Sequence, residues 1–377
     1  MSSYWLSEPP EPLPERGTSG RVDVAVVGGG VTGLACALTL ARAGRTVRVH
    51  EAREVAGGAS GRNGGFALRG GAMPYDRARE WLGGEAAVAY WRWTERALER
   101  MLALGPDAFR RSGSLRLAAD AEEREELRGE YEALRDDGFA AEWRDELPGR
   151  VGERFRAAIF HPPDAALHPA RFVRRLAAAA VEAGAEVRQH DRVRSVDELD
   201  ADRVVVATDG YPSGLLGELE GLIIPTRGQM IATEPLEERV FACPHYGRHG
   251  FDYWQQTDDG RLLAGGFRDS ALDTEFTADE ATTATIQDAL ERFVADLVGR
   301  PLRVEHRWAG IFGLVLDFLP VVGAHPRDDR VWVAGGYSGH GNVLGFACGE
   351  ALARALLGDR DPMLDLFRPE RLLAAAA

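Results

Sequence analysis

The spacing of apolar and polar positions divides the chain into segments of two periods. Arg21 to Val27 is a β-branched run with the near-continuous apolar character of a parallel strand covered on both faces. A helix is expected from Val31 to about Ala43, and a second strand from Thr46 to His50. Later, Pro169 to Gly184 places Phe172, Leu176 and Ala180 on one helical face, ahead of strands at Glu186–His190 and Asp202–Gly210. Val331–Ala334 is a further strand, followed by a helix from Gly341 to about Leu357. Between these lie amphipathic helices at Glu80–Leu104, Ala121–Asp137 and Ala278–Val298. Strand character marks Ser112–Ala118, Leu222–Thr233, Gly250–Gln256, Arg261–Phe267 and Leu302–Ile311. Between Val193 and Asp202 there is room for at most a tight hairpin.

The turn between the first strand and helix is the most informative stretch. Gly28, Gly30 and Gly33 fall in G-x-G-x-x-G spacing, which combines a tight turn, a close approach of backbone to pyrophosphate and a helix lying near the sheet. Val31 and Thr32 open that helix, whose free N–H groups and positive dipole end suit phosphate. Glu51, with Ala52 and Arg53 after it, ends the second strand where a carboxylate grips ribose hydroxyls and would repel a 2′-phosphate.

Two further glycine loops decide between dinucleotides. The first carries Ala59, Ser60, Arg62, Asn63, Gly64 and Gly65, and the second carries Gly339, His340, Gly341, Asn342 and Val343. A nicotinamide cofactor needs no contacts from both ends of such a chain, whereas an extended FAD with a buried ring does. Val193 and the strand end Thr208, Asp209 and Gly210 complete the expected cofactor set. An NAD-dependent dehydrogenase and a noncatalytic FAD-binding module are the alternative readings.

Composition narrows the picture. A formal charge of -14 argues against nucleic acid or an anionic membrane as partner. All 45 cationic residues are arginine, so no Schiff-base lysine is present. Cys36, Cys243 and Cys348 lack C-x-x-C spacing and suggest no disulfide framework. Cys243 with His245 and His249 is not taken as a metal site, because Pro244 and Gly247 break any helix, and His161 and His168 are read as structural. With no leader or apolar span, a cytoplasmic enzyme is expected.

In these motifs the chain resembles the D-amino-acid-oxidase-like FAD oxidoreductases over Val22 to Leu357. Ala59–Gly65, Pro225–Gln229 and Gly336–Gly341 look most like the γ-glutamylputrescine oxidoreductase branch. The resemblance implies an α/β (α+β overall) fold. A Rossmann-like FAD-binding domain from 21-82, 161-224 and 320-377 is interleaved with a mixed-sheet substrate-binding domain from 83-160 and 225-319. Residues 1-20, rich in proline and glutamate, read as an extended or mobile arm.

The implied reaction is oxidation of the C–N bond of a small-molecule amine or N-substituted amino compound, with oxygen or another acceptor. A glycine- or sarcosine-type amino-acid oxidase is the alternative. Related enzymes attach flavin through a cysteine before the residue matching Asp317; none stands here, so FAD should be noncovalent. Phe312 occupies the place of a carboxylate-binding arginine, which shifts the expectation from small α-amino acids toward amines, and Phe66 departs from the γ-glutamylputrescine pattern. Tyr253, His340, Arg227 and Arg261 are the candidate catalytic and substrate residues, with Trp254 and Arg268 as further possibilities.

Overall fold

The Val22–Val27 strand lies in the middle of a six-stranded sheet in the computed structural model, which describes residues 3–14, 17 and 20–373. Across that sheet the strands run Val321–His325, Asp328–Gly335, Ala201–Val206, Val22–Val27, Val47–His50 and Glu186–Arg188. All neighbours are parallel except the first pair. The double burial expected of such strands is present: Val24 and Val26 enter one core, Ala25 and Val27 another. Helices Val31–Arg42, Pro169–Glu182 and Val343–Leu356 cover the first face, and Leu215, Leu219 and Ile223 help cover the second.

The strand-rich segments form an eight-stranded mixed sheet. It runs Val304–Leu314, Ile224–Pro235, Arg261–Gly266, Asp252–Gln256, His245–Gly247, Ser114–Ala118, Ala157–His161 and Glu142–Arg144. Only the pairing of His245–Gly247 with Ser114–Ala118 is parallel. Helix Ala284–Val298 packs Ile286, Leu290 and Phe293 on Ile231, Trp254 and Leu262 of one sheet face. The opposite face, carrying Met230 and Tyr253, turns toward the glycine loops that carry Asn63 and Asn342.

Several boundaries differ from those read in the sequence. The expected helix over Glu80–Leu104 is broken at Gly83, whose φ of +85° ends Tyr75–Leu82 before Gly84–Leu104 begins. The second of these packs Trp93, Leu98 and Met101 into the core of the six-stranded sheet, although it lies in the stretch expected to serve the substrate. Helix Ala284–Val298 starts six residues late, because 278–283 is spent on side-chain links such as Thr283 N–H to Gln229. Residues 193–202 contain a short 3-10 turn, Val196–Glu198, in place of a hairpin. The described part of the N-terminal arm is not free. Trp5 is 2% exposed and donates Nε1–H to Asn63 O at 2.8 Å, while Glu8 accepts from Arg171 at 2.8 Å. A large indole and a carboxylate facing an arginine outweigh the polar composition of the segment. Fraying is expected over Leu372–Ala377, but Leu372 and Leu373 close a short helix, Glu370–Leu373, and residues 374–377 lie outside those described.

Candidate active site

The glycine turn holds its shape through contacts that no larger residue would tolerate. Gly28 has φ +115°, and a Cβ there would meet Ala207 O at 2.5 Å. A Cβ on Gly33 would stand 2.0 Å from Gly28 O, so this glycine sets how closely the helix approaches its own turn. Gly30 caps the helix without a side-chain bond, and Val31 N–H donates to Ser60 Oγ at 3.0 Å. Glu51 accepts from Gly29 N–H and Arg53 N–H, both at 2.7 Å, which fixes its carboxylate at the mouth of the turn. One cavity lies against these residues, with Ala52, Val193, Thr208 and Asp209 in its wall.

Two further cavities continue from it. The middle one shares Gly30, Ala59, Ser60 and Asp209 with the first, and Ala59, Asn63, Gly339 and Asn342 with the third. Val31, Thr32 and Gly341 border the middle cavity, and Arg62, Gly64, His340 and Val343 the inner one. The two glycine loops are joined side chain to side chain: Asn63 and Asn342 exchange amide hydrogen bonds at 3.1 Å, and Asn342 also donates to Phe66 O at 2.8 Å. Gly65 N–H donates to Asn63 Oδ1 at 2.9 Å rather than facing a cavity. Asp209, at φ +49°, accepts from Gly313 N–H at 3.0 Å and Gly336 N–H at 2.7 Å. Burial pushes its pKa up while these N–H bonds oppose the rise. Its carboxylate ties the second sheet to the late glycine loop, and Gly210 packs on the Phe312 backbone.

The inner cavity is mostly aromatic. Tyr253, Phe66, Phe312 and Tyr246 stand in its wall with Met230 and Ile311, and no aspartate or glutamate does. Tyr253 has room because Gly64, Gly228 and Gly265 surround it; a Cβ on Gly265 would press its ring at 2.4 Å. Burial pushes the Tyr253 phenol up to about 12. His340 is held neutral: burial lowers its pKa to about 4, and the guanidiniums of Arg116 and Arg268 act in the same direction. Helix Val343–Leu356 begins at the cavity edge with Asn342 as its cap, so its first N–H groups are at hand.

Two expected substrate residues lie elsewhere. Arg227 shares its strand face with Gln229 and Ile231, toward helix Ala284–Val298, whereas Gly228 and Met230 face the cavity. Its guanidinium donates to Glu275 at 2.9 and 2.7 Å. Arg261 starts its strand beside Asp259, at 3.1 Å, and also pairs with Glu305. Neither borders the inner cavity. Trp254 is fully buried under the helix. His245 stacks on Trp254 at 4.7 Å and bonds the Cys243 carbonyl, while His249 faces Glu123 and Glu126.

Tyr211 and Glu280, which the sequence reading passed over, join Arg53 at the end of the cavity beside Glu51. Tyr211 donates to Glu280 at 2.6 Å, Arg53 donates to the same carboxylate at 2.8 Å, and the Arg53 guanidinium lies 4.9 Å from the Tyr211 ring centre. Tyr246, at the opposite end, carries no motif that would have marked it.

A mostly parallel sheet with this turn and acid, roofed by a mixed sheet over an aromatic cavity, defines a dinucleotide-dependent oxidoreductase. The family model "FAD dependent oxidoreductase" matches residues 23–355, and the chain belongs to that family. It is 30% identical over 368 residues to γ-glutamylputrescine oxidoreductase of Escherichia coli K12, covering 90% of this chain and 84% of that one. It is 28% identical over 405 residues to the probable oxidoreductase OrdL of Rhizobium meliloti 1021, covering 99% and 92%. Glycine oxidase from Geobacillus kaustophilus has the same fold, with a TM-score of 0.75 at 22% identity over 93% of this chain and 98% of that one. The cavity walls fit FAD in their chemistry: bare backbone where phosphate must approach, a fixed carboxylate at one end and an aromatic-lined chamber at the other. No helix among the described residues is long and apolar enough to cross a membrane.

Proposed function

We propose that the protein oxidises the C–N bond of a small amine or N-substituted amino compound in the inner cavity. Bound FAD would supply the hydride acceptor for the carbon beside the nitrogen, and the resulting imine would be hydrolysed by water. Glu51 would hold the adenosine ribose, the turn at Gly28–Gly33 the pyrophosphate, and the loops around Asn63 and Asn342 the flavin. N–H groups at the start of helix Val343–Leu356 are suited to stabilise charge arriving on the ring. The reading extends to noncovalent attachment, because Cys36, Cys243 and Cys348 are buried and none borders the three cavities. It also includes the division into a cofactor domain (21-82, 161-224, 320-377) and a substrate domain (83-160, 225-319), in a cytoplasmic enzyme using oxygen or another small acceptor.

The observation that carries this reading is the inner cavity without an acidic side chain. With no carboxylate to hold an ammonium charged, and with Arg62 and Arg268 in the wall, an amine there is driven toward the neutral form that can release hydride. Tyr253 and His340 offer polar edges for that nitrogen. Anaerobic mixing with a panel of primary and secondary amines tests the proposal. Bleaching of the flavin band with formation of a carbonyl compound is the expected result; a flavin that no amine bleaches removes amine oxidation.

A further inference from the structure

Glu280 reaches the loop after Glu51 from the side of the eight-stranded sheet. It lies in the irregular stretch 276–283, between the short helix Leu272–Glu275 and helix Ala284–Val298. The stem of this stretch is fastened to the Ile224–Pro235 strand. Arg227 donates to Thr274 O at 3.1 Å and to Asp279 O at 3.3 Å, and Gln229 donates to Thr283 Oγ1 at 2.8 Å. Beyond that stem the Glu280 carboxylate meets three donors of the other sheet's loops. One oxygen accepts from Tyr211 at 2.6 Å and from Arg53 at 2.8 Å, and the other lies 3.6 Å from the Arg62 guanidinium.

Arg53 and Arg62 stand at the two ends of one loop. Both donate to Gly57 O in its middle, at 3.2 and 2.9 Å, and Arg62 also donates to Ala309 O at 3.1 Å. Between them, Ala59 borders all three cavities and Ser60 two of them. A single carboxylate from the opposite sheet therefore holds both ends of the loop that flanks the whole course proposed for the dinucleotide. The Arg53 and Glu280 side chains are 35% and 24% exposed, so their pairing adds little to folding stability. Three donors converging on one partly exposed acceptor, at the edge of a ligand cavity, fit a fastening that opens and closes.

We propose that Glu280 is a positioning residue for FAD: it latches loop 53–62 closed along the cofactor, and its release lets the dinucleotide enter or leave. Glu280 thereby sets the residence time of FAD. This rests on the assignment of the cavity beside Glu51 to the adenosine half, and it is independent of which substrate is oxidised.

Release of FAD from the diluted holoenzyme, followed by the rise in flavin fluorescence, tests the latch without turnover. E280A is expected to release FAD at least about tenfold faster than the native protein. E280Q should fall between the two, because its amide oxygen still accepts from Tyr211 and Arg53 without the charge. Y211F, which loses one hydroxyl, should release FAD at least about threefold faster. An unchanged rate in E280A overturns the proposal. So does slower release from E280Q, which would mean that Glu280 competes with the pyrophosphate for the two guanidiniums. Melting of the protein with and without FAD separates a latch from a brace. E280Q should lower the melting temperature of the FAD-bound form and leave that of the FAD-free form unchanged; an equal fall in both overturns the proposal. Should E280A not fold, Y211F decides alone, and an unchanged rate there overturns the latch. E51A distinguishes the two levels of the account. Loss of FAD in E51A with native release in E280A overturns the latch alone, whereas native retention in both removes the adenosine assignment as well.

Discussion

At the scale of single residues, Glu51 holds the N–H groups of Gly29 and Arg53, and in the proposed FAD site the same carboxylate would also take the ribose hydroxyls. A charge-assisted hydrogen bond is worth about 1.5–3 kcal/mol, so Glu51→Ala should weaken FAD binding by at least about tenfold. FAD occupancy after dilution and gel filtration measures this, and unchanged occupancy would remove Glu51 from the cofactor site. Gly265→Ala places a methyl 2.4 Å from the Tyr253 ring. The expected cost is about 1–3 kcal/mol in thermal unfolding, with Tyr253 pushed into the cavity and substrate binding weakened. Adding Tyr253→Ala should recover the stability loss due to the clash; a purely additive double variant would show that the ring is not what the methyl meets. Glu51 and the glycines were legible because their spacing is local. The choice among arginines was not, since it depends on strand phase: Arg227 falls on the helix side with Ile231, and only the turn at Phe267 carries Arg268 to the cavity.

At the scale of elements, two helices crossing on bare backbone set the position of the dinucleotide turn. A Cβ on Gly349 of helix Val343–Leu356 would meet Thr32 O at 2.3 Å and Ala35 Cβ at 3.0 Å. Gly349→Ala should therefore cost about 1–3 kcal/mol and weaken FAD binding, because Thr32 stands in the first turn of the helix that follows the glycine turn proposed to hold the pyrophosphate. Gly84→Ala is the control, since nothing lies within 4 Å of its new methyl. Equal melting temperatures for the two variants would show that the crossing is not tight. The helices and central strands follow from their periods. The break at Gly83 and the late start of helix Ala284–Val298 do not, since the first depends on one left-handed glycine and the second on partners distant in sequence, Gln229 and Thr283.

At the scale of the whole molecule, the strand orders of the two sheets were not legible, because pairing such as Ser114–Ala118 with His245–Gly247 joins segments more than a hundred residues apart. Buried histidines give the assembly an acid limit. Burial holds His245 near 4 against an ordinary value of 6.5, so between those pH values the unfolded chain takes up a proton that the folded one refuses. The contribution is complete above pH 6.5 and is lost as pH falls toward 4, by about 3 kcal/mol at most. Denaturant unfolding across this range should show stability falling with acid, with a shallower fall in His245→Gln. An identical slope in the variant would assign the acid sensitivity to other groups.

The central claim is that the three adjoining cavities hold one extended FAD without a covalent bond. Acid precipitation of the purified yellow protein, with identification of the released flavin, tests it most directly. The expected result is intact FAD in the supernatant at about one per chain, as a single continuous site requires. Flavin retained in the pellet, release of the shorter mononucleotide, or a colourless protein that takes up no added FAD would contradict it.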